Sequence, residues 1–485
     1  MRPRRDAGHM ADIIVLGGGV CGLAAGMLLA RDGHDVKLLE RDPSPVPDSP
    51  EEAWESWERD GVTQFRQAHY LHARASAVIA GELPEVREAL VSADAAEVDH
   101  LRRLGPMLPN FAPRPDDHRL GTLTARRSTV EQIFGAAAEA EPRLEVRRGV
   151  SVAELVTGAG NGFPHVAGVR TEGGEELMAD LVVDAMGRRS PLPRWLEQVG
   201  AAPVHEEAED SGFIYYSRFF ESSNGEVPTP LGPFLMPIGS FSILTLPSDR
   251  NTWSVTVFIS AGDQPLKALR HEEAFTALLR SCPLQAHWLE GEPITSIDAM
   301  GGVIDRYRRF VSDGRPVATG IAAVGDAWAC TNPSLGRGIS LGLAHAALLR
   351  DVAREELDDP PGFVEAWDEA TERELTPWYR DTVAIDRARI AEIEALRAGL
   401  EPPGPPSFEA GVAGSLMRVM AFDPELLRAG LEVVGCLALP QEVLARPGVV
   451  DRVVELVEAN PPQPAPGPTR EELLRLIADA QPAGA

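Results

Sequence analysis

The chain holds 485 residues, 44% of them apolar and 25% charged, enough for roughly three domain-sized units with sizeable cores. With 46 basic and 73 acidic residues the formal charge is −27, a surface that repels phosphate backbones and anionic lipid and so disfavours nucleic acid and membranes as partners. Cys21, Cys282, Cys330 and Cys436 stand far apart with no Cys-x-x-Cys pair, which argues against a zinc ribbon or a disulfide framework and suits a reducing cytoplasm.

Residues 1–9 read as an unstructured leader before Met10. Residues 11–30 imitate a signal peptide or a membrane span, but Asp12 and the close-set Gly17, Gly18, Gly19 and Gly22 oppose that reading. No other stretch is long and apolar enough to span a bilayer. Residues 11–42 instead predict a strand over 12–16, a tight turn, a helix over 23–31 and a second strand over 36–39 that ends in Glu40. Residues 43–60, rich in Pro, Asp and Glu, predict a loop, and 70–80 and 84–92 predict helices. Ser128-Thr-Val-Glu131 reads as a capping box that starts a helix running to about residue 140. Strands are expected at 144–150, 165–171 and 181–185, the last running into a glycine turn before 192–199. Gly158-Ala-Gly160-Asn-Gly162 lacks a following helix and reads as a hairpin loop.

From 212 to 259 apolar and aromatic residues alternate, as in Phe213-Ile-Tyr-Tyr-Ser-Arg-Phe-Phe220, which predicts a half-buried sheet. A strand at 321–324 precedes a helix over 338–354. Beyond 360 the chain is helical, broken at 401–406 and 460–468, and Thr469-Arg-Glu-Glu472 caps a last amphipathic helix. The acidic runs 206–210 and 355–359 are expected to be solvated faces.

Two constellations carry chemistry. Gly17-Gly-Gly19-Val20-Cys21-Gly22 is a G-x-G-x-x-G between strand and helix: Gly17 permits the turn, Gly19 lets N–H groups approach a pyrophosphate, and Gly22 lets helix and strand pack closely. Glu40, at the end of the second strand and followed by Arg41, can accept both ribose hydroxyls and would repel a 2′-phosphate. The second is Ala323-Val-Gly325-Asp326, where a carboxylate at a strand end can meet a polyol such as the ribitol of a flavin. It is followed by Asn332-Pro333-Ser-Leu-Gly336-Arg337-Gly338 and a helix whose free N–H groups would stabilise negative charge on a reduced flavin ring. Together they point to FAD. Arg127, before the expected capping box, can reach the cofactor phosphates or the adenine side. His69 and His72, one helical turn apart in this reading, are not joined by a third ligand, so no metal site is expected.

These motifs, with Arg127-x-x-Val-Glu131 and Asp184-Ala-Met-Gly187, occur in the order seen in single-component FAD monooxygenases of the p-hydroxybenzoate hydroxylase-like fold. Within that group the chain most resembles the polyether polyene epoxidases, on Gly61-Val-Thr-Gln64-Phe-Arg66-Gln-Ala-His69 and the tract from Asp184 to Trp195-Leu196. The resemblance spans about residues 11–350. It implies an α/β fold: a discontinuous Rossmann-like FAD-binding domain with an inserted antiparallel β-sheet substrate domain and a helical C-terminal region. The expected divisions are 10–200 and 299–358 for FAD, with substrate-side loops near 60–120, then 201–298 for substrate and 359–485 for the helices.

The implied activity is epoxidation or hydroxylation through a flavin C4a-hydroperoxide, on an apolar, polyketide-like substrate from secondary metabolism, with O2. The resemblance also places Gln64 and Arg66 near the flavin, and Phe213, Tyr215, Phe234 and Phe258 are candidate substrate contacts whose parity alternation leaves open. No catalytic acid or base is singled out. Where aromatic hydroxylases have Asp-Gly, this chain has Met186-Gly187, so the electron source is either NAD(P)H or a separate flavin reductase. Alternatives are a geranylgeranyl-reductase-like enzyme, a non-catalytic flavin-fold binding protein, and a halogenase. The last is opposed by the absence of lysine between Lys37 and Lys267.

Overall fold

The computed structural model describes residues 10–160, 162–461 and 463–480; the leader 1–9, and Asn161 in the glycine-rich hairpin loop, lie outside the described residues. Five parallel strands form the central sheet in the order Ile321–Ala323, Leu181–Asp184, Asp12–Leu16, Asp35–Glu40, Leu144–Arg148. The inner strands are short apolar runs, as strands covered on both faces require. Leu16 stands opposite both Leu39 and Asp184, and Asp184 opposite Ala323. These strands therefore end level. The chain segments that leave them, at Gly17, Glu40, Ala185 and Gly325, share one carboxyl edge, the edge at which open α/β sheets bind ligands.

Helices Val20–Arg31, Arg127–Glu139 and Gly338–Glu356 cover one face of this sheet through Leu23, Met27, Val130, Phe134 and Leu343. Trp195, Tyr307, Trp328 and Tyr379 cover the other. A second, antiparallel sheet runs Leu235–Ile238, Phe241–Pro247, Thr252–Ser260, Phe213–Glu221, and Asp298–Gly301 also pairs with the last of these. Its pleat settles the parity. Phe213, Tyr215 and Phe258 share one face with Leu244, whereas Tyr216, Phe220, Trp253, Val255 and Val257 pack on the other against Leu278, Leu473 and Ile477. The last helix, Arg470–Asp479, thus seals the outer face, held by Arg470 on Asp263 at 2.6 and 2.9 Å. Its capping box at Thr469 and Glu472 is formed.

Several local expectations give way to tertiary structure. The stretch 43–60 contains a short helix, Pro50–Glu55, capped by Ser49. The stretch 70–80 begins as a strand, Ala68–Leu71, so His69 and His72 do not share a helix face. Ser128 does not cap. Arg126 occupies the cap position, and the Glu131 side chain turns instead to two arginines. The acidic run 206–210 is a solvated face as expected, within the strand His205–Asp210, antiparallel to Ile304–Arg309, with Glu206, Glu207 and Glu209 paired to Arg308, Arg380 and Arg387. Cys21, Cys282, Cys330 and Cys436 are free thiols. Among the described residues no helix is long and apolar enough to cross a membrane.

Candidate functional site

After the first strand Gly17 turns the chain at φ +104, a left-handed value that side chains rarely adopt. A Cβ on Gly22 would lie 2.0 Å from the Gly17 carbonyl oxygen, so only glycine lets the helix start this close to the strand. Around Gly19, the residue before Val20, space is open: no atom lies within 4 Å of where a Cβ would sit. The unpaired N–H groups of the first helical turn lie at this opening with their partial positive charge. Cys21 points away from it. Its Sγ packs against the long helix Gly338–Glu356, where a Cβ on Gly342 would come within 2.2 Å, and burial pushes the thiol up to about 12. Gly342→Ala is expected to cost about 1–3 kcal/mol by overpacking, and adding Cys21→Ala should recover most of it in urea unfolding. A double variant no more stable than the single one would refute this contact as the cause.

Glu40 is the next group on the same edge. Its Oε2 accepts from the Gly18 N–H at 2.8 Å and from Arg59 Nη2 at 3.0 Å, and its Oε1 accepts from the Asp42 N–H at 2.8 Å. Arg59, which sequence reasoning passed over inside an expected loop, is the hub. Its Nε lies 3.0 Å from Asp42 Oδ2, its Nη1 3.3 Å from Glu131 Oε2, and its Nη2 also donates to the Gly18 carbonyl at 3.2 Å. The side chain is 2% exposed and stands 5.0 Å from the Trp57 ring. Arg127 grips the other oxygen of Glu131 with Nε at 2.8 Å and Nη2 at 2.5 Å. Its Nη1 reaches His69 Nε2 at 3.2 Å. Since His69 Nδ1 faces the Gln67 carbonyl at 3.1 Å, Nδ1 carries the ring proton and Nε2 accepts. Burial, reinforced by the Arg127 charge, pushes His69 down to about 3, so it is neutral. Arg41 is exposed at the rim beside Gly61.

The second glycine turn comes from far downstream in the chain. Gly325, at φ +57, donates its N–H to His345 Nδ1 at 3.2 Å. That ring is fixed by Thr371 at 3.2 Å and by stacking on Trp367 with centroids 4.5 Å apart. His345 is a second residue with no local sequence signal. Burial raises the Asp326 carboxyl, and the Arg127 charge opposes the rise, so these two groups share the site's field. Pro333 opens a short turn, Pro333–Leu335, and Gly336 follows at φ +66. At Gly338 space is again open before the long helix. The Arg337 side chain turns outward to Asp381 Oδ2 at 2.7 Å and Thr382 Oγ1 at 3.0 Å, over the Trp378 ring.

Asp184 is turned inward. It accepts from Ser190 Oγ and from the Met186 N–H at 2.9 Å, and burial raises its carboxyl from the ordinary 3.8 to about 6. The folded chain therefore holds this proton more tightly than the unfolded chain. Stability is lost as pH rises through that window, and the loss is complete above about 6. Asp184→Asn should accordingly exceed the parent by about 2 kcal/mol near pH 8 and match it near pH 4; a pH-independent difference in urea midpoints would count against this account.

The aromatic face of the antiparallel sheet lies beside the Asn332–Gly338 segment. Tyr215 stacks on Phe258 at 5.1 Å, and Phe213 stands 5.9 Å from Phe258. Phe234 belongs to a different group, 5.1 Å from the His100 ring and 6.4 Å from Tyr70. Arg66 is tied to the carbonyls of Trp54 and Trp57, and Gln64 is half-buried beside it.

The comparisons agree with this architecture. Residues 15–78 match the family described as NAD(P)-binding Rossmann-like domain. The chain is 26% identical over 422 residues to protein Rv3254 of Mycobacterium tuberculosis, covering 81% of this chain and 83% of that protein. Three solved structures share the fold. OxyS anhydrotetracycline hydroxylase from Streptomyces rimosus is 18% identical over 89% of this chain and 77% of its own, with TM-score 0.58. The Diels-Alderase PyrE3 of pyrroindomycin biosynthesis is 17% identical over 88% and 81%, also at 0.58. The flavin-dependent brominase Bmp2 is 15% identical over 97% and 98%, at 0.53.

Proposed function

We propose that this protein is an FAD-dependent monooxygenase acting on an apolar small molecule. The observation that carries the reading is the meeting, at one sheet edge, of two glycine turns far apart in the chain, each with a carboxylate. The residues fit FAD. The open cradle at Gly19 and the first-turn N–H groups of Val20, Cys21 and Gly22 would take the pyrophosphate, with Arg127 adding charge. Glu40 keeps one Oε1 lone pair for a ribose hydroxyl, Asp326 suits the ribityl chain, and Pro333, Gly336 and Gly338 leave room at the start of the long helix.

When bound and reduced, FAD would supply the two electrons needed to pass one oxygen atom of O2 to the substrate and release the other as water. The protein's own part is to orient the substrate on the Phe213, Tyr215 and Phe258 face and to exclude water there. The neutral His69 holds Arg127 in place without adding charge. Electrons come from NAD(P)H or a separate flavin reductase, and the divisions 10–200 with 299–358, 201–298 and 359–485 are the functional units in this reading.

The test is stopped-flow absorbance of FAD-loaded, photoreduced protein mixed with oxygenated buffer. A transient spectrum distinct from both oxidised and reduced flavin is expected. Direct return to the oxidised spectrum would overturn oxygen transfer, and failure to take up FAD would overturn the cofactor assignment.

A further inference from the structure

Two buried carboxylates hold the turn Pro333–Leu335 from behind, with no cation bonded to either. Asp386, on the helix Thr376–Arg397, is 4% exposed and bridges the residues on both sides of Pro333. Its Oδ2 accepts from Asn332 Nδ2 at 3.2 Å and its Oδ1 from Ser334 Oγ at 2.5 Å. Asp305, on the strand Ile304–Arg309, is 3% exposed and accepts from the Asn332 backbone N–H at 2.6 Å. One asparagine is thus gripped by its side chain and by its backbone. Among the described residues neither acid has an ion pair: Arg337 is matched to Asp381 at 2.7 Å, and Arg387 to Glu209.

The other groups that face the pair are neutral or share its sign. Tyr215 donates to Asn332 Oδ1 at 2.7 Å, and burial raises its phenol. Burial also pushes Tyr379 up to about 12 and holds the Cys330 thiol well above its ordinary range, so both keep their protons. Burial, then the charges of Glu209 and Asp210, raise Asp305 to about 6 against the Asn332 N–H and Arg387. Burial, then the charge of Asp305, raise Asp386 to about 6 against Ser334, Asn332 and Arg337. Such a pair is ionised at mildly alkaline pH but lies close to taking up a proton, and one more negative charge nearby draws that proton in.

Pro333, Gly336 and Gly338 are where the cofactor reading places the flavin, and reduction adds negative charge to a flavin. The start of the helix Gly338–Glu356 favours that charge, whereas ionised carboxylates on the residues flanking Pro333 oppose it. We propose that Asp305 and Asp386, as a pair, take up one proton from solvent when the bound cofactor is reduced. Two electrons from the reductant then enter with two protons, one on the cofactor and one as a carboxyl O–H on the pair. This rests on the cofactor assignment above.

Spectroelectrochemical titration of the FAD-loaded protein with dithionite and mediator dyes, between about pH 7 and 8.5, tests it. The midpoint potential should fall with pH about twice as steeply as one proton per two electrons dictates. Asp386→Asn and Asp305→Asn should each flatten the slope, and the double variant should return it to one proton per two electrons. Each single variant should also favour reduction about tenfold near pH 8, equivalent to one pKa unit. Asparagine preserves the turn, since at 386 its carbonyl can accept from Asn332 while its amide donates to Ser334 Oγ. A merely structural role would lower FAD content and leave the slope as it was. A steep slope that survives in both single variants, or in the double variant, belongs to another carboxylate such as Asp326 and would overturn the proposal. An ordinary slope in the FAD-loaded parent overturns this proposal alone, whereas protein that takes up no FAD overturns the cofactor reading and this proposal with it.

Discussion

Arg59→Ala is expected to lower the unfolding free energy by about 3–5 kcal/mol, the usual cost of removing one partner from a buried ionic cluster, and, on the function proposed above, to abolish FAD uptake. One guanidinium, 2% exposed, serves Glu40, Asp42, Glu131 and the Gly18 carbonyl together. Without it Glu131 keeps Arg127, but Glu40 keeps only two backbone N–H donors. The glycine turn would also lose its brace on the Gly18 carbonyl, which loosens the cradle itself. Arg59→Lys should fall in between, since a single ammonium cannot span four acceptors in the plane of a fork. Urea unfolding followed by circular dichroism, with the FAD-to-protein ratio after desalting, measures both effects. An alanine variant within about 1 kcal/mol of the parent and with full FAD would refute the role given to Arg59.

Asp249→Ala should be comparably severe, by about 3–5 kcal/mol, and for a different reason. Asp249 sits in the turn between the strands Phe241–Pro247 and Thr252–Ser260 and is 0% exposed. It accepts from the Arg126 N–H at 2.6 Å, from Arg126 Nε at 2.9 Å and Nη2 at 2.6 Å, and from Thr129 Oγ1 at 2.9 Å. Arg126 precedes the helix that carries Arg127 and Glu131, and it also lies 4.8 Å from the Trp54 ring. This carboxylate therefore locks the antiparallel sheet onto the start of the helix Arg127–Glu139. Its loss leaves Arg126 charged, nearly fully buried and unmatched. Asp249→Asn keeps an acceptor for the Arg126 backbone and should lose less. Limited proteolysis gives a second readout: the segment 201–298 should become cleavable before the rest of the chain in the alanine variant. Unchanged cleavage and stability would show that the sheet and this helix are held together elsewhere.

The parts legible in the sequence are those that short stretches of backbone settle. The turn at Gly17, the close approach at Gly22, the acid at the end of the second strand and the Gly325-Asp326 turn each follow from backbone geometry and side-chain size within a few residues. The alternation over 212–259 foretold a two-faced sheet, and the capping box at Thr469 formed as read. A similar pattern at Ser128 did not form, because Glu131 found two arginines offering more than a helix end could.

What only the tertiary structure decided is the pairing of charges and the choice of face. Arg59 lies 41 residues from Gly18 and Arg126 lies 123 from Asp249, separations over which sequence carries no register. The outward turn of Arg337 toward Asp381, and the fixing of the Gly325 turn by His345, depend on how the helices beyond 338 pack. Likewise period-two alternation defines two faces of a sheet but assigns neither. Phe213, Tyr215 and Phe258 face Ile390 and Ile393 of the helix Thr376–Arg397, with Tyr215 also on Asn332, because the last helix, with Leu473 and Ile477, buries the opposite side. Local backbone preference thus determined where this chain can turn and cradle a ligand. Long-range burial, which leaves a charge stable only where a partner from another segment meets it, decided how that edge is braced and which face of the antiparallel sheet each aromatic residue occupies.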